Sequence, residues 1–198
     1  MSLVREELDR HHRTLKQRRG WLRKLLRPLP RRANVARYPV IKWFAGMARR
    51  LPFLWSFRKQ HVLPALYLGC VLSLLPVYGI QFGLALVFAL LVRGNITVLM
   101  GLQLITNPFT AVPAYILTYK VGMYLIAITG IGHGMSVWGT RANALVIGGI
   151  VLGVLLAVLI HVVWLFAAWE GRRIRARVHY LREALAAEAA GQQPPPKP

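Results

Sequence analysis

His61 to Gly122 reads HVLPALYLGCVLSLLPVYGIQFGLALVFALLVRGNITVLMGLQLITNPFTAVPAYILTYKVG, two long apolar segments with no acidic residue between them. Each is broken near its middle by residues that a helix in lipid does not carry casually. The first break is Pro76-Val77-Tyr78-Gly79, with Gln81 just beyond, and the second is Thr106-Asn107-Pro108. Arg93-Gly94-Asn95 places a basic residue between the two segments. So much apolar sequence exceeds what a soluble core needs, and it reads as a membrane-embedded module.

Working outward, residues 62–92 would be about 46 Å long as one helix, against about 30 Å of hydrocarbon. Divided at Pro76–Gly79, each half is about 20 Å and too short to cross alone. A re-entrant hairpin fits: in from His61, turning at Pro76–Gly79, out at Arg93. Residues 96–119 can repeat the pattern by turning at Asn107-Pro108. Two kinked full spans are the alternative, and both arrangements return the chain to one side at Lys120. Non-helical backbone at membrane depth is tolerated only where protein or a wet cavity surrounds it, so the two breaks should be buried in protein or line such a cavity. Paired interrupted segments of this kind also point toward transport sites.

Charge sets the orientation. The chain of 198 residues carries a formal charge of +20 and is 56% hydrophobic, with a mean hydropathy of +0.44. Of its 26 Lys and Arg, 17 precede His61 and 6 follow Trp169; only Arg93, Lys120 and Arg141 lie between. Basic flanks around apolar spans follow the positive-inside rule and place both termini in the cytoplasm. Aromatics mixed with basic residues over Val40–Lys59 have the composition of a membrane interface, which accounts for both residue types without nucleic acid.

Three regions follow. Residues 1–60 form a basic arm, whose first 27 residues have leucines at helical spacing and can lie on an anionic leaflet or remain solvated. Residues 61–169 form the membrane domain. It closes with a modest span over 121–138, a Gly-rich outer loop from Gly130 to Arg141, and the most regular transmembrane segment at 144–169. There Gly148, Gly149 and Gly153 offer a small-residue face for close packing. Residues 170–198 continue as a basic cytoplasmic helix and a Pro-rich tail. No secretory signal is visible at the N-terminus.

Catalysis is hard to assemble from this composition. Residues 61–169 contain no Asp or Glu, which removes carboxylate pairs, carboxylate metal sites and Ser-His-Asp triads. No cofactor or metal is expected. His11-His12 point in different directions on a helix and read as surface. Cys70 reads as a small buried residue, and His161 as a hydrogen-bonded or snorkelling side chain near Trp164. A fixed positive charge among amides suits an anionic group, and Arg is the better residue for bidentate phosphate contact. Arg93, Asn95, Gln81 and Lys120 are therefore the candidate lipid-phosphate ligands. Pro76, Tyr78, Gly79, Asn107, Pro108, Thr110 and Pro113 are the candidate cavity-shaping residues. Asn107 also reads as a helix cap ahead of Pro108.

The pattern Pro64, Gly69, Pro76-x-x-Gly79-x-Gln81, Ala85, Ala89, Arg93-x-Asn95, then Asn107-Pro108-x-Thr110-x-x-Pro113-x-Tyr115-x-x-x-Tyr119-x-x-Gly122 resembles an uncharacterised bacterial inner-membrane family. That family is catalogued as a domain of unknown function, number twenty sixty-two. The resemblance covers about His61 to Trp169 and implies a cytoplasmic-membrane protein with no assigned activity. The first break departs from the Pro-Pro or Phe-Gly often found there. The layout is also similar to DedA-type lipid translocases, in architecture alone, since the acidic residues of that group are absent. The expectation is an all-α integral membrane protein with two re-entrant or kinked hairpins and about two transmembrane helices. Its expected role is non-enzymatic: binding or translocating an anionic lipid, a phospholipid or polyprenyl phosphate, in the cell envelope. The alternative is an anchored scaffold that recruits envelope-biogenesis partners through its basic arms. Membrane lipids are the expected partners, a homo-oligomer is compatible, and nucleic acid is not expected.

Overall fold

Pro76 ends the first helix for two local reasons. It has no N–H to give, and its ring pushes the preceding residue out of the helical region. In the computed structural model Leu75 accordingly sits at φ −74°, ψ 146°, and Gly79 turns the chain with φ 95°. The structure describes residues 13, 48, 50–77, 79–132 and 135–190. The N-terminal helix expected over residues 1–27, His11-His12, Tyr78, and the Pro-rich tail fall outside these, apart from Arg13.

Among the described residues the protein is all helical. A 3₁₀ turn, Pro52–Trp55, leads into helices α1 (Lys59–Leu74), α2 (Gln81–Leu91), α3 (Ile96–Leu102), α4 (Pro108–Thr129) and α5 (Val137–Ala189). The chain divides into two compact units, residues 29–160 and residues 1–28 with 161–198.

In the first unit α1 is a spine to which later segments are tied. Asn95 N–H donates to the His61 carbonyl at 2.8 Å, so the chain returns beside its starting point after the Pro76 turn. Gln103 Nε2 then donates to the Gly69 carbonyl at 3.3 Å, and the Thr106 hydroxyl to the Ser73 carbonyl at 2.7 Å. The near-constant sequence offset of these three bonds means that residues 95–106 run parallel to α1. Tyr115 O–H adds a bond to the Leu75 carbonyl at 3.2 Å. Leu54, Ala65, Leu72, Ala85, Leu86, Ala89, Ile96, Leu99 and Met100 fill the space between the 3₁₀ turn and α1–α3. The alanines on α1 and α2 let the short helices approach closely.

Glycines bring α5 onto both α1 and α4. A Cβ at Gly148 would overlap the Thr118 carbonyl, and one at Gly122 the Ala144 carbonyl. At Gly149 it would meet the Leu74 carbonyl at 2.7 Å, and at Gly153 the Val71 Cα at 2.5 Å. Ala157 continues the contact against Leu66 and Cys70. Rising numbers on α5 meet falling numbers on α1 and α4, so α5 runs antiparallel to both. The small-residue face expected at Gly148, Gly149 and Gly153 is thus used within the chain.

The second break differs from expectation. Asn107 caps α4 through a capping box with Thr110, and Pro108 opens the helix. That helix then runs without interruption through Lys120 to Thr129. It stops at Gly130, where φ of 72° provides the left-handed C-cap. No hairpin closes at residue 119 and no separate span begins at 121. Residues 120–122 hold no left-handed glycine and no proline, so nothing there ends a helix. Likewise Arg141, expected in a loop, lies within α5. Among the described residues, Phe109–Thr129 and Val137–Ala187 are the two helices long and apolar enough to cross a membrane.

In the second unit α5 continues unbroken past Gly171. Arg173 lies over the Trp169 ring, 3.8 Å from its centroid, and His161 packs beside Trp164 with 5.9 Å between ring centroids. Val178 and Leu181 are buried.

Close helix approach at Gly148 gives a stability prediction. Gly148→Val drives side-chain atoms into the Thr118 carbonyl and is expected to cost about 3 kcal/mol. Gly83→Ala, where a Cβ meets nothing within 4 Å, is expected to gain roughly 0.5 kcal/mol from reduced backbone freedom. Denaturation of the detergent-solubilised protein checks both.

Candidate functional site

Arg93 lies where the first hairpin comes back to its origin. Its backbone is in the left-handed region, φ 52°, the only such non-glycine conformation among the described residues. This conformation costs an ordinary residue on the order of 1–2 kcal/mol and persists because the neighbours hold it. The His61 ring nitrogen Nδ1 donates to the Arg93 carbonyl at 2.7 Å. Asn95, two residues on, is 0% exposed and locks the return. Its Oδ1 accepts from Val98 N–H at 3.0 Å, capping α3, and its Nδ2 donates to the Ser56 carbonyl at 2.9 Å.

These bonds form one side of an open groove of about 820 Å³, lined by Leu51, Pro52, Phe53, Ser56, Arg58, Gln60, His61, Val92 and Arg93. Leu51, Pro52 and Phe53 come from the 3₁₀ turn. That turn is anchored by the buried Leu54 and by Trp55 Nε1, which donates to the Ala48 carbonyl at 2.7 Å. Arg58, Gln60 and His61 come from the start of α1. The Arg93 guanidinium lies 5.5 Å from the centroid of the Phe53 ring, within the range of a cation–π contact. Both arginines are exposed. Among the described residues no carboxylate lines the groove, and the sequence has no Asp or Glu between Asp9 and Glu170. Two arginines and, among the described lining residues, no competing anion make a surface suited to a phosphate.

The residues singled out from sequence separate into two places. Arg93 faces the groove, and Asn95 supports it from beneath as a buried cap. Gln81 is 3% exposed at the start of α2, at the far end of the hairpin. The breaks, expected to be enclosed in protein or a cavity, are instead exposed at Pro76 and Gly79 and at Asn107 and Thr110, which form the cap of α4 near the same end. Of the described break residues only Thr106, bonded to Ser73, is buried. Pro108 opens α4 and Pro113 lies within it. Lys120 is exposed on α4, between Thr118 and Gly122, which pack on Gly148 and Ala144. From His61 to Leu74 along α1 is about 20 Å, so neither Gln81 nor Lys120 reaches the groove of Arg93. Sequence reasoning missed Arg58, Gln60 and His61 as its other wall. Their signal was the aromatic-basic run before His61, which reads as interface composition and hides a specific turn.

Asn95 supplies the prediction. Asn95→Ala removes a helix cap, worth about 1 kcal/mol, and leaves the Ser56 carbonyl without its buried donor, about 1–3 kcal/mol more. Asn95→Asp keeps the cap but not the donor and is expected to fall between wild type and Asn95→Ala in denaturant unfolding.

Comparison with protein-family models matches residues 42–177 to a family described as an uncharacterized protein conserved in bacteria (DUF2062). No curated protein matches the chain, and no solved structure does.

Proposed function

This chain belongs to that uncharacterised bacterial family, and we propose that it is a non-enzymatic inner-membrane protein that binds an anionic lipid at the Arg58–Arg93 groove and assists its movement. The observation that carries this reading is the pair of exposed guanidiniums in a carboxylate-free groove at the mouth of the hairpin.

Depth in the bilayer supports it. Arg141 lies over the Trp138 ring at 5.3 Å, a pairing suited to a membrane–water interface. About 30 Å of hydrocarbon corresponds to about 20 helical residues, which puts the midplane near Val151 when counted from Arg141. Gly149 and Gly153 bracket that point, and they pack on Leu74 and Val71. On this reading the Pro76 turn lies near the midplane, and His61, about 20 Å back along α1, lies at the basic interface. With Asn95 hydrogen-bonded to His61, the first hairpin is re-entrant, entering and leaving through one face. The groove then opens at phosphate depth. The exposed polar groups at the other end, Asn107 and Thr110, lie deeper and give a headgroup polar contacts between the leaflets. By the positive-inside rule the groove and both termini are cytoplasmic.

The test is binding and transbilayer movement of headgroup-labelled anionic phospholipid with the purified protein in liposomes. Arg93→Ala removes one charge-assisted contact and is expected to weaken binding about tenfold or more and to slow movement. Lys120→Ala, remote from the groove, is expected to leave binding unchanged. Equal binding by wild type and Arg93→Ala would overturn the site, and no protein-dependent movement would remove the transport half of the proposal.

A further inference from the structure

Resting on that reading of the groove, we infer that its preferred ligand is a phosphodiester lipid whose headgroup also carries hydroxyls, a glycerol or sugar linked through phosphate, and not a zwitterionic amine lipid. Size is the first reason. At about 820 Å³ the groove is in the range of sites that hold a whole small molecule, far more than one phosphate fills.

The neutral groups that line the groove with the two arginines are the second reason. His61 donates through Nδ1 to the Arg93 carbonyl, so in the neutral ring Nε2 is an acceptor. It lies 3.1 Å from Gln60 Nε2, which donates to it. This pairing fixes the Gln60 amide at the groove, and the amide has a carbonyl oxygen and a second N–H beyond that bond. The Ser56 hydroxyl accepts from the Arg58 backbone N–H at 3.4 Å and has its own proton to donate. A mixed set of neutral donors and acceptors beside two cations matches hydroxyls attached to a phosphate, since each hydroxyl both gives and takes a hydrogen bond. Leu51 and Pro52 add apolar surface for the carbon framework of such a group.

The absence of carboxylate from the groove is the third reason. An ammonium placed there meets two guanidiniums and no counter-charge, an electrostatic penalty that a hydroxyl does not incur.

The test uses the full-length protein in detergent and three short-chain lipids with identical dihexanoyl tails, titrated calorimetrically. Phosphatidylglycerol carries the phosphodiester and two hydroxyls. Phosphatidylethanol carries the same charge and no hydroxyl, and phosphatidylethanolamine carries an ammonium. Phosphatidylglycerol is expected to bind about tenfold tighter than phosphatidylethanol, the gain of one or two net hydrogen bonds, with phosphatidylethanolamine weakest. Gln60→Leu, on an exposed first-turn position, is expected to erase most of the preference for phosphatidylglycerol over phosphatidylethanol. Arg93→Ala is expected to weaken both anionic lipids together. Equal, Arg93-dependent affinity for phosphatidylglycerol and phosphatidylethanol would overturn the hydroxyl preference and leave a phosphate site standing. A preference that survives Gln60→Leu would overturn its assignment to this groove. Lipid affinity independent of Arg93 for all three would overturn the lipid-site reading itself.

Discussion

Asn95 N–H reaching back to the His61 carbonyl closes the first hairpin, and three further hydrogen bonds, from Gln103, Thr106 and Tyr115, repeat its logic along the same segment. Buried backbone and amide groups need partners in an apolar medium, where water cannot supply them. Here α1 provides those partners at Gly69, Ser73 and Leu75, to Gln103, Thr106 and Tyr115. Each such bond has a modest net worth of about 1 kcal/mol, but leaving a buried group unpaired costs more. Their shared offset therefore fixes the register of residues 95–106 against α1. Registry then decides what lies at each end: Arg93 beside His61, and the α4 cap beside the Pro76 turn.

Close packing by small residues completes the arrangement. Gly122, Gly148, Gly149 and Gly153 remove side chains where α5 meets α4 and α1, so backbone touches backbone. Apolar side chains gain little from burial against each other in lipid, and shape fit takes over the role that hydrophobic exclusion has in water. Large residues of α4 and α5, such as Phe109 and Leu155, accordingly point outward, while those of α1 and α3, such as Leu72 and Leu99, are buried. A polar seam along α1 places the chemical interest at its two ends. Of the two ends, the Arg93 groove carries the charge.

Local rules made much of this legible. Pro76 and Gly79 announced the first turn, Asn107-Pro108 could be read as the cap and start of a helix, and the long apolar run after Asn143 announced the middle of α5. Each of these signals acts within a few residues of itself. What depends on register was not legible. Hydropathy gave no reason for 108–129 to be one helix and not the second arm of a hairpin, because Lys120 looks like a boundary and turns out to be an exposed residue in mid-helix. Gln81 and Lys120 were grouped with Arg93 because all are polar groups in apolar sequence, yet the hairpin holds them apart from it. Arg58 and Gln60 were passed over because they precede the apolar block, and only the His61–Asn95 closure brings them opposite Arg93. Asn95 was legible as a functional candidate through its spacing from Arg93, and its place is one layer deeper, as the cap that fixes the site.

Re-entry of the first hairpin requires residues on either side of it to open onto the same face of the membrane. Its direct measurement is thiol labelling in sealed vesicles of known orientation, with an impermeant reagent and Cys70→Ala as background. Gln60→Cys and Arg93→Cys should react from the same side, with Ser136→Cys reacting only from the other. Labelling of Gln60→Cys and Arg93→Cys from opposite sides would make the first hairpin a full crossing and contradict the account.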